Sequence, residues 1–404
     1  MNSGKIHRLY HKGLEGWIMK GFMRLLAGFL GMLLLPLPVQ AAQPTVAGKS
    51  AVLMECATGT VLCQQNPHEK LAPASVTKIM TMLLIMEALD SGQISLTDTV
   101  TASEAAAAKG GSQVYLKVGE TMTVSDMLKS IAVSSANDCA CAMAEHLAGS
   151  EAAFVERMNR RAQELGMTDT HFVNCTGLDD GPEADQHRTS AWDIAIMSRE
   201  LLNKHPGIKE FTTIWMDTIR GGSFGLSNTN KLVRFYPGAT GLKTGFTSGA
   251  GYCLSATAQR EGMELIAVVM GAESSQVRNA ACKQLLDYGF ATFARVDPAL
   301  PEQALVPVRL GTQDHVELVL NNPGGILIDK AQKASVTIHT QLDAQADAPV
   351  SQGQRLGTLT IQAGDQIISQ LPLVAKNAVP RMGYGAIWVE IMKRAAMAGD
   401  EMER

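Results

Sequence analysis

The first candidate for chemistry is a serine and a lysine three positions apart, in Ser75-Val76-Thr77-Lys78. On a helix, residues i and i+3 lie on one face, with Cβ atoms about 5–6 Å apart. A serine hydroxyl becomes a nucleophile when a base takes its proton. A lysine can be that base when burial lowers its pKa, and the mostly apolar stretch from Ile79 to Leu84 predicts such burial. Alone, Ser-x-x-Lys is expected about once by chance in a chain of this size.

Two further motifs carry polar side chains that could complete such a site. In Ser135-Ala136-Asn137 a second hydroxyl could relay a proton and an amide could bind a substrate carbonyl. In Lys243-Thr244-Gly245, before a predicted strand, Lys and Thr could hold a carboxylate, and the glycine lets a substrate backbone approach closely. Taken singly, Ser135-Ala136-Asn137 also fits a helix break, and Lys243-Thr244-Gly245 also fits a basic turn. The three motifs together, in this order, are far more specific.

This series resembles the signature of the penicilloyl-serine transferases, which are the penicillin-binding proteins and the serine β-lactamases. Over residues 45–295 the chain is similar to the low-molecular-mass D-alanyl-D-alanine carboxypeptidases. The stretches that carry this resemblance are Ala72-Pro73-Ala74-Ser75, Asn174-Cys175-Thr176-Gly177-Leu178, Gly241-Leu242-Lys243-Thr244-Gly245 and Leu265 to Ala272. The segment from Asp217 to Gly238 looks closest to the spore-former type of this family.

The resemblance implies a role for each catalytic motif residue. Ser75 would be the acylated nucleophile and Lys78 its base. Ser135, Asn137 and Lys243 would complete the proton relay and the substrate clamp.

The resemblance also implies how the substrate is held. Thr244 would bind the terminal carboxylate, beside Gly245. The backbone N–H groups of Ser75 and Phe246 would form the oxyanion hole, and Arg278 would lie near the carboxylate. Two positions depart from the common pattern: Ala136 stands where many members have glycine, and Phe246 where many have histidine.

The order of predicted elements indicates an α/β (α+β) fold, in which helices flank an antiparallel sheet built from both ends of the segment 42–296. The resemblance identifies it as the penicillin-binding-protein/β-lactamase-like transpeptidase fold. Short β-type runs predict a small all-β domain over 297–379. Apolar residues at helical spacing predict an amphipathic helix within 380–404, which would anchor the protein to a membrane surface.

The first 41 residues are predicted to be a cleaved signal peptide. A basic stretch precedes 13 nearly all apolar residues, Leu25 to Leu37, and Val39-Gln40-Ala41 offers a cleavage site. An uncleaved anchor is the alternative, and Lys20 and Arg24 disfavour it. Either way we expect export, to the outer face of the cytoplasmic membrane. The chain has an odd number of cysteines, 7, which we interpret as small buried apolar residues.

Composition excludes some classes of partner. A net charge of -4 argues against a nucleic-acid binder, which would usually be basic. No His-Glu-x-x-His or other zinc spacing occurs, so no metal or other cofactor is expected. The expected ligands are peptidoglycan stem peptides and β-lactam antibiotics.

Four functions remain open at this point. The main hypothesis is a serine carboxypeptidase that removes the last D-alanine of a stem peptide. A D,D-endopeptidase acting on cross-links would use the same residues. A class A β-lactamase would need a deacylating glutamate, and the best-placed loop, Gly166 to Gly181, has none. A catalytically inactive binding module is disfavoured because every motif side chain is present.

Overall fold

The computed structural model describes residues 43–300, 304–321, 325–389 and 391–392. The predicted signal peptide, residues 1–41, lies outside the described residues. The strands are β1 Ser50–Glu55, β2 Val61–Gln65, β3 Thr99–Thr101, β4 Thr121–Thr123, β5 Met216–Ile219, β6 Phe224–Ser227, β7 Ala239–Thr247, β8 Gly251–Arg260, β9 Met263–Ala272, β10 Phe293–Val296, β11 Leu305–Arg309, β12 His315–Leu320, β13 Ile326–Asp329, β14 Val336–Leu342, β15 Ala346–Asp347, β16 Arg355–Ala363 and β17 Gln366–Ala375.

Helices fill most of the sequence between the first hairpin and β7. The α-helices are Lys78–Asp90, Glu104–Ala107, Val124–Ser134, Asn137–Ala148, Glu151–Glu164, Ala191–Lys204, Lys209–Thr212, Leu232–Phe235 and Ser275–Thr292. Short 3-10 helices cover Ala74–Thr77, Ala184–Gln186, Pro206–Ile208, Arg220–Gly222 and Lys330–Ser335.

One five-stranded antiparallel sheet, in the order β2-β1-β9-β8-β7, organises residues 43–296. Its strands come from both ends of that segment, because the hairpin β1–β2 pairs through β1 with β9. Strand β7, which carries Lys243-Thr244-Gly245, lies at the edge of the sheet. One side of β7 is therefore not paired with another strand of this sheet.

Both faces of this sheet are covered, and strand side chains alternate between two apolar clusters. In β1, Val52 and Met54 belong to the cluster on the face of the helices Lys78–Asp90 and Ala191–Lys204. Ala51 and Leu53 belong to the cluster on the opposite face, under the helix Ser275–Thr292. A sheet buried on both faces needs continuous apolar strands, which explains the runs in the sequence. The predicted α/β (α+β) class, with helices flanking an antiparallel sheet, is confirmed.

A second sheet of six strands, in the order β14-β16-β17-β12-β11-β15, follows the first segment. Only the pairing of β11 with β15 is parallel among its described ladders. Leu359, Ile361 and Leu373 are among the side chains that form its own apolar core. The predicted small all-β region after residue 297 is confirmed.

The end of the described chain is helical, over residues 384–389 and 391–392. A backbone bridge between Gly311 and Arg381 ties the preceding residues to the all-β region. Ile387 and Ile391 line a small cleft with Val308 and Leu310 of that region. Among the described residues, no helix is both long enough and apolar enough to span a membrane. The rest of the predicted helix, up to Arg404, lies outside the described residues.

Two glycines let other backbone segments press against the short helix that carries Ser75. A Cβ on Gly177 would lie 1.8 Å from the carbonyl oxygen of Ala74. A Cβ on Gly245 would lie 2.7 Å from the carbonyl oxygen of Pro73 and 3.0 Å from the backbone nitrogen of Val76. Real Cβ atoms do not approach backbone this closely, so both positions require glycine. The motif residues can converge only because these side chains are absent.

We predict that Gly177→Ala is far more damaging than a matched change at Gly92. Both glycines have positive φ, 82° and 73° respectively, so alanine costs about 1 kcal/mol of backbone strain at either site. Only Gly177 also has a backbone oxygen where the methyl would go; a Cβ on Gly92 meets nothing within 4 Å. We therefore expect Gly177→Ala to lower the free energy of unfolding by at least about 3 kcal/mol or to displace Ala74. Equal losses in urea denaturation would contradict this account.

Candidate active site

Ser75 lies on the 3-10 helix Ala74–Thr77, and Lys78 begins the α-helix that follows. The sequence predicted one helix through this segment, so the 3-10 turn and the positive φ of Ala74, 48°, are findings of the structure. The close contacts of Gly177 and Gly245 hold the turn in this form. The two side chains nevertheless meet as their spacing predicts, and Lys78 Nζ lies 3.0 Å from Ser75 Oγ.

Lys78 is fully buried, and three oxygens surround its Nζ atom. Besides Ser75 Oγ, they are Asn137 Oδ1 and the backbone carbonyl oxygen of Thr176, the latter at 2.8 Å. Burial lowers the pKa of Lys78 from its ordinary value of 10.5 to about 7. The side chain can therefore be a neutral amine at neutral pH, as a general base must be.

The Ser135-Ala136-Asn137 motif forms the break between two helices, as the sequence predicted. Ser135 is buried and adopts a left-handed backbone conformation, with φ 64°. The Asn137 backbone N–H donates to the carbonyl oxygen of Ser112, and its side-chain N–H donates to that of Gly110, both at 2.7 Å. These bonds fix the amide, so that its oxygen faces Lys78.

A turn at Asn174-Cys175-Thr176-Gly177-Leu178 supplies the backbone carbonyl that faces Lys78. The Asn174 side-chain oxygen accepts from the backbone N–H groups of Thr176 and Gly177, at 3.1 and 2.6 Å. The Thr81 hydroxyl donates to the carbonyl oxygen of Cys175 at 2.7 Å. The turn therefore holds the Thr176 carbonyl in place from both sides.

Strand β7 brings the third motif to the same place. Lys243 is buried, and its Nζ donates to the carbonyl oxygen of Thr244 at 2.9 Å. The Thr244 hydroxyl donates to that of Thr229 at 2.7 Å. The pKa of Lys243 is held well below its ordinary value by burial first, and then by the charges of Lys78 and Arg278. Besides burial, the charges that lower the pKa of Lys243 thus come from two other predicted site residues.

Phe246 and Arg278 lie at the end of β7 with Tyr252 between them. Phe246 is exposed and stacks on the Tyr252 ring, with centroids 4.2 Å apart. The Arg278 guanidinium lies 5.9 Å from the Tyr252 ring centroid and donates to Asn279 Oδ1 and the carbonyl oxygen of Cys253. Burial lowers the pKa of Arg278.

The three basic side chains of the site, Lys78, Lys243 and Arg278, form no ion pair with any carboxylate of the described residues. Two nearby carboxylates are already bound elsewhere. Asp138 accepts from the backbone N–H groups of Val114 and Leu116, at 3.1 and 3.0 Å. Glu151 pairs with Lys109 at 2.6 Å. Arg278, and any charge that the two lysines carry, is therefore left without a carboxylate partner, which suits an anionic ligand.

Several residues that contribute to the site were not predicted as site residues. Thr176 contributes a backbone carbonyl. Thr229 follows the hairpin β5–β6, which the sequence analysis does not predict. His187 is buried with 3% exposure and contacts Thr77. The Asn-Cys-Thr-Gly-Leu stretch contributes to the family resemblance, but no spacing in the sequence indicates that its Thr176 carbonyl faces Lys78.

The cysteines carry no visible chemistry. All 7 are buried free thiols, which confirms the interpretation as small buried apolar residues. Burial raises the pKa of Cys282 to about 12 and that of Cys253 to about 11, so both stay protonated. In the part of the chain that the structure describes, no three His, Cys, Asp or Glu side chains are grouped to hold a metal ion.

The family model described as D-alanyl-D-alanine carboxypeptidase matches residues 38–274. The chain belongs to this carboxypeptidase family. A second model, the C-terminal domain of penicillin-binding protein 5, matches residues 301–381. The family that the three motifs indicated, and the serine peptidase class of enzyme, are thereby confirmed.

Individual relatives match this carboxypeptidase over most of their own length. D-alanyl-D-alanine carboxypeptidase DacF of Bacillus subtilis is 45% identical over 342 residues, which are 83% of this chain and 87% of DacF. The crystal structure of penicillin binding protein 5 from Haemophilus influenzae has a TM-score of 0.73 at 31% identity, covering 84% of this chain and 100% of that one. Penicillin-binding protein D2 of Listeria monocytogenes, solved in its ampicillin-bound form, has a TM-score of 0.56 at 30% identity, covering 61% and 100%.

We predict that acylation of this carboxypeptidase by a fluorescent penicillin accelerates as pH rises through about 7 and then levels off. The sign follows from burial: the charged ammonium is disfavoured, so the neutral amine that accepts the Ser75 proton is half populated near pH 7. Lys78→Arg, which stays charged, should not acylate at any pH in this range. A rising limb found only near pH 10, the ordinary lysine value, would contradict the assignment.

Proposed function

We propose that this protein is a serine carboxypeptidase that removes the C-terminal D-alanine from peptidoglycan stem peptides through an acyl-enzyme on Ser75. The observation that supports this most strongly is the 3.0 Å contact between Ser75 Oγ and the buried Nζ of Lys78, whose pKa is lowered to about 7. A hydroxyl beside a neutral amine is an activated nucleophile. The names of the family and of its relatives supply the substrate class.

In the acylation step, Ser75 Oγ attacks the carbonyl carbon of the penultimate D-alanine and its proton passes to Lys78. The backbone N–H groups of Ser75 and Phe246 stabilise the oxyanion that forms. The bond to the terminal D-alanine then breaks, and the proton held by Lys78 passes to the leaving nitrogen through Ser135 and Lys243. Water finally attacks the ester carbon, the bond from this carbon to Ser75 Oγ breaks, and a proton of the water returns to Oγ.

The substrate backbone binds along the free edge of β7 as an additional antiparallel strand. Within the sheet β7 pairs only with β8, so its other edge has no strand partner beside Lys243, Thr244 and Gly245. The terminal carboxylate is held by the Thr244 hydroxyl, with Lys243 and Arg278 providing positive charge. The absence of ion pairs for these cations among the described residues supports an anionic group at this position.

The decisive experiment compares a pentapeptide ending in D-Ala-D-Ala with a cross-linked stem-peptide dimer, with products identified by mass. We expect release of one D-alanine from the pentapeptide, and loss of this activity in Ser75→Ala and Lys78→Ala, by a factor of about 10³ or more. Two buried or paired side chains outside the site provide matched controls. Ser198→Ala removes a hydroxyl that donates to the carbonyl oxygen of Ile194, and Lys209→Ala removes an ion pair with Glu264. Both should remain active.

Cleavage of the dimer in preference to the pentapeptide would instead identify an endopeptidase. Loss of activity in the two control variants to the same degree would show that the assay reports unfolding rather than chemistry.

We also propose that penicillins acylate Ser75 and leave slowly. After peptide cleavage the D-alanine diffuses away and water can enter, whereas the leaving group of a penicillin stays tethered. A deacylating glutamate would overcome this, but Glu151 is bound to Lys109 and to the Cys175 N–H, and Asp138 to two backbone N–H groups. Neither of these two carboxylates is available to activate water.

We predict that stopped-flow mixing with a chromogenic cephalosporin gives a burst of about one equivalent and then stalls for minutes. The same preparation should turn over a D-Ala-D-Ala peptide repeatedly. Fast multiple turnover of the cephalosporin without a burst would place the protein with the β-lactamases.

We further propose that the protein is exported and lies on the outer surface of the cytoplasmic membrane. The predicted signal peptide supports export. The terminal helix supports surface attachment, because Tyr384 and Trp388 are exposed to 90% and 68%. Aromatic side chains favour the membrane–water interface, and a short amphipathic helix lies in its plane.

We predict that a chain ending at Gly383 no longer binds anionic lipid vesicles but keeps its acylation rate. This end point retains the bridge between Gly311 and Arg381 and the bond from the Met382 N–H to the Leu310 carbonyl oxygen. In the full chain, Trp388→Glu should weaken vesicle binding in the same direction. If the shortened chain still sediments with vesicles after its signal peptide has been cleaved, attachment through this helix is wrong.

A further inference from the structure

A chain of three hydrogen bonds connects the buried His187 to the peptide unit that precedes Ser75. The Val173 backbone N–H lies 3.2 Å from His187 Nδ1, and His187 Nε2 lies 2.8 Å from Thr77 Oγ1. Thr77 Oγ1 donates to the carbonyl oxygen of Ala74 at 2.8 Å. His187 and Thr77 are 3% and 0% exposed, so water does not compete for these bonds.

The direction of each bond follows from the two ends of the series, a backbone N–H that can only donate and a carbonyl oxygen that can only accept. A backbone N–H can only donate, so His187 Nδ1 is the acceptor and carries no proton. The Thr77 hydroxyl has one proton, which it gives to the Ala74 carbonyl, so it accepts from Nε2–H. His187 is therefore the neutral tautomer with its proton on Nε2. Burial lowers the pKa of His187 to about 4, and the charges of His171, Arg188 and Lys78 act in the same direction.

This series of hydrogen bonds ends at the carbonyl of Ala74, which belongs to the same planar peptide unit as the N–H of Ser75. In a trans peptide these two groups point in opposite directions, so a bond that fixes one orients the other. Ala74 adopts a φ of 48°, a conformation that alanine holds only when its surroundings enforce it. The Cα of Gly177 is packed against the same Ala74 carbonyl, which closes the other side.

We propose that His187 and Thr77 are positioning residues that lock the Ala74–Ser75 peptide unit and thereby hold the Ser75 N–H in the oxyanion hole. This inference rests on the proposed function, which places that N–H at the developing negative charge. Neither side chain touches the substrate. Their effect is on the orientation of one donor, which must be correct before the reaction begins.

The test uses two deleterious changes, each with a conservative partner. Thr77→Val removes the hydroxyl at nearly constant volume, and Thr77→Ser retains it. His187→Leu removes both ring nitrogens, whereas the amide of His187→Gln still offers one donor and one acceptor. Ser198→Ala, which removes another buried hydroxyl that donates to a backbone carbonyl, is the control for stability.

We expect Thr77→Val and His187→Leu to slow acylation by a fluorescent penicillin by about 10- to 100-fold, since displacing one oxyanion donor has effects of this order. The dissociation constant of the initial complex should change by no more than about threefold. A boronic acid analogue of D-alanine, which forms a tetrahedral adduct on serine, should lose affinity by the same factor as the acylation rate. The double variant should be no slower than Thr77→Val, because both residues act on one carbonyl.

The conservative variants and the pH profile separate this role from a merely structural one. Thr77→Ser and His187→Gln should recover acylation to within about threefold of the original protein. The rising pH limb near 7 should stay where it is, because Lys78 is not altered. A shifted limb would mean that the chain of bonds acts on Lys78, and the proposal would be wrong. Undiminished acylation in Thr77→Val would equally overturn it.

A measurement without substrate distinguishes failure of this inference from failure of the proposed function. In the NMR spectrum of the unmodified protein, the His187 Nε2 proton should be visible and exchange slowly between about pH 5 and pH 9. Its absence, or a protonated Nδ1, would overturn the inference even if D-alanine is released. If the bonds and their effect on acylation are found but no D-alanine is released, the proposed function is wrong and the positioning role stands.

Discussion

The removal of Lys78 from water is the constraint on which the rest of the site depends. A buried ammonium is unfavourable, so the side chain titrates near neutral pH and a base becomes available beside Ser75. The amine is not left without partners, because Ser75, Asn137 and the Thr176 carbonyl each offer it an oxygen. Each of these oxygens comes from a different segment, so the fold must bring three segments to one nitrogen.

The central sheet and its glycines achieve this convergence. Strand β7 presses against the short helix of Ser75 where Gly245 has no side chain, and the turn at Gly177 presses from another direction. The break between the helices Val124–Ser134 and Asn137–Ala148 supplies the amide. Because sheet and helices share a continuous apolar core, these segments are held rigidly. A preorganised site of this kind requires little rearrangement during reaction.

Much of the fold and site could be predicted from sequence, for physical reasons that particular residues illustrate. Because β1 and β9 are buried on both faces, they require continuous apolar runs, and the helix break at Ser135 is visible as a polar interruption. Ser75 and Lys78 were paired by their spacing, although the turn between them is 3-10 rather than α. That difference depends on contacts with Gly177 and Gly245, which are distant in sequence and leave no local pattern.

The remaining site residues act through contacts that sequence patterns do not encode. Thr176 contributes a backbone carbonyl, which any residue type could provide. Thr229, which lies between β6 and the helix Leu232–Phe235, bonds to Thr244 across 15 residues of sequence. His187 is surrounded in sequence by polar residues typical of a loop, yet it is buried against Phe172 and Thr77. Only the three-dimensional arrangement shows that its two nitrogens have defined partners.

The most direct test of this account is the titration of Lys78 itself. Protein labelled with ¹³C at the lysine Cε atoms can be followed by NMR across the pH range, and Lys78→Met identifies the signal by its loss. We predict a midpoint near pH 7 for Lys78, well below the ordinary lysine value of 10.5. A Lys78 signal that stays that of an ammonium to about pH 10 would contradict the central claim, because no neutral amine would then be available to Ser75 at neutral pH.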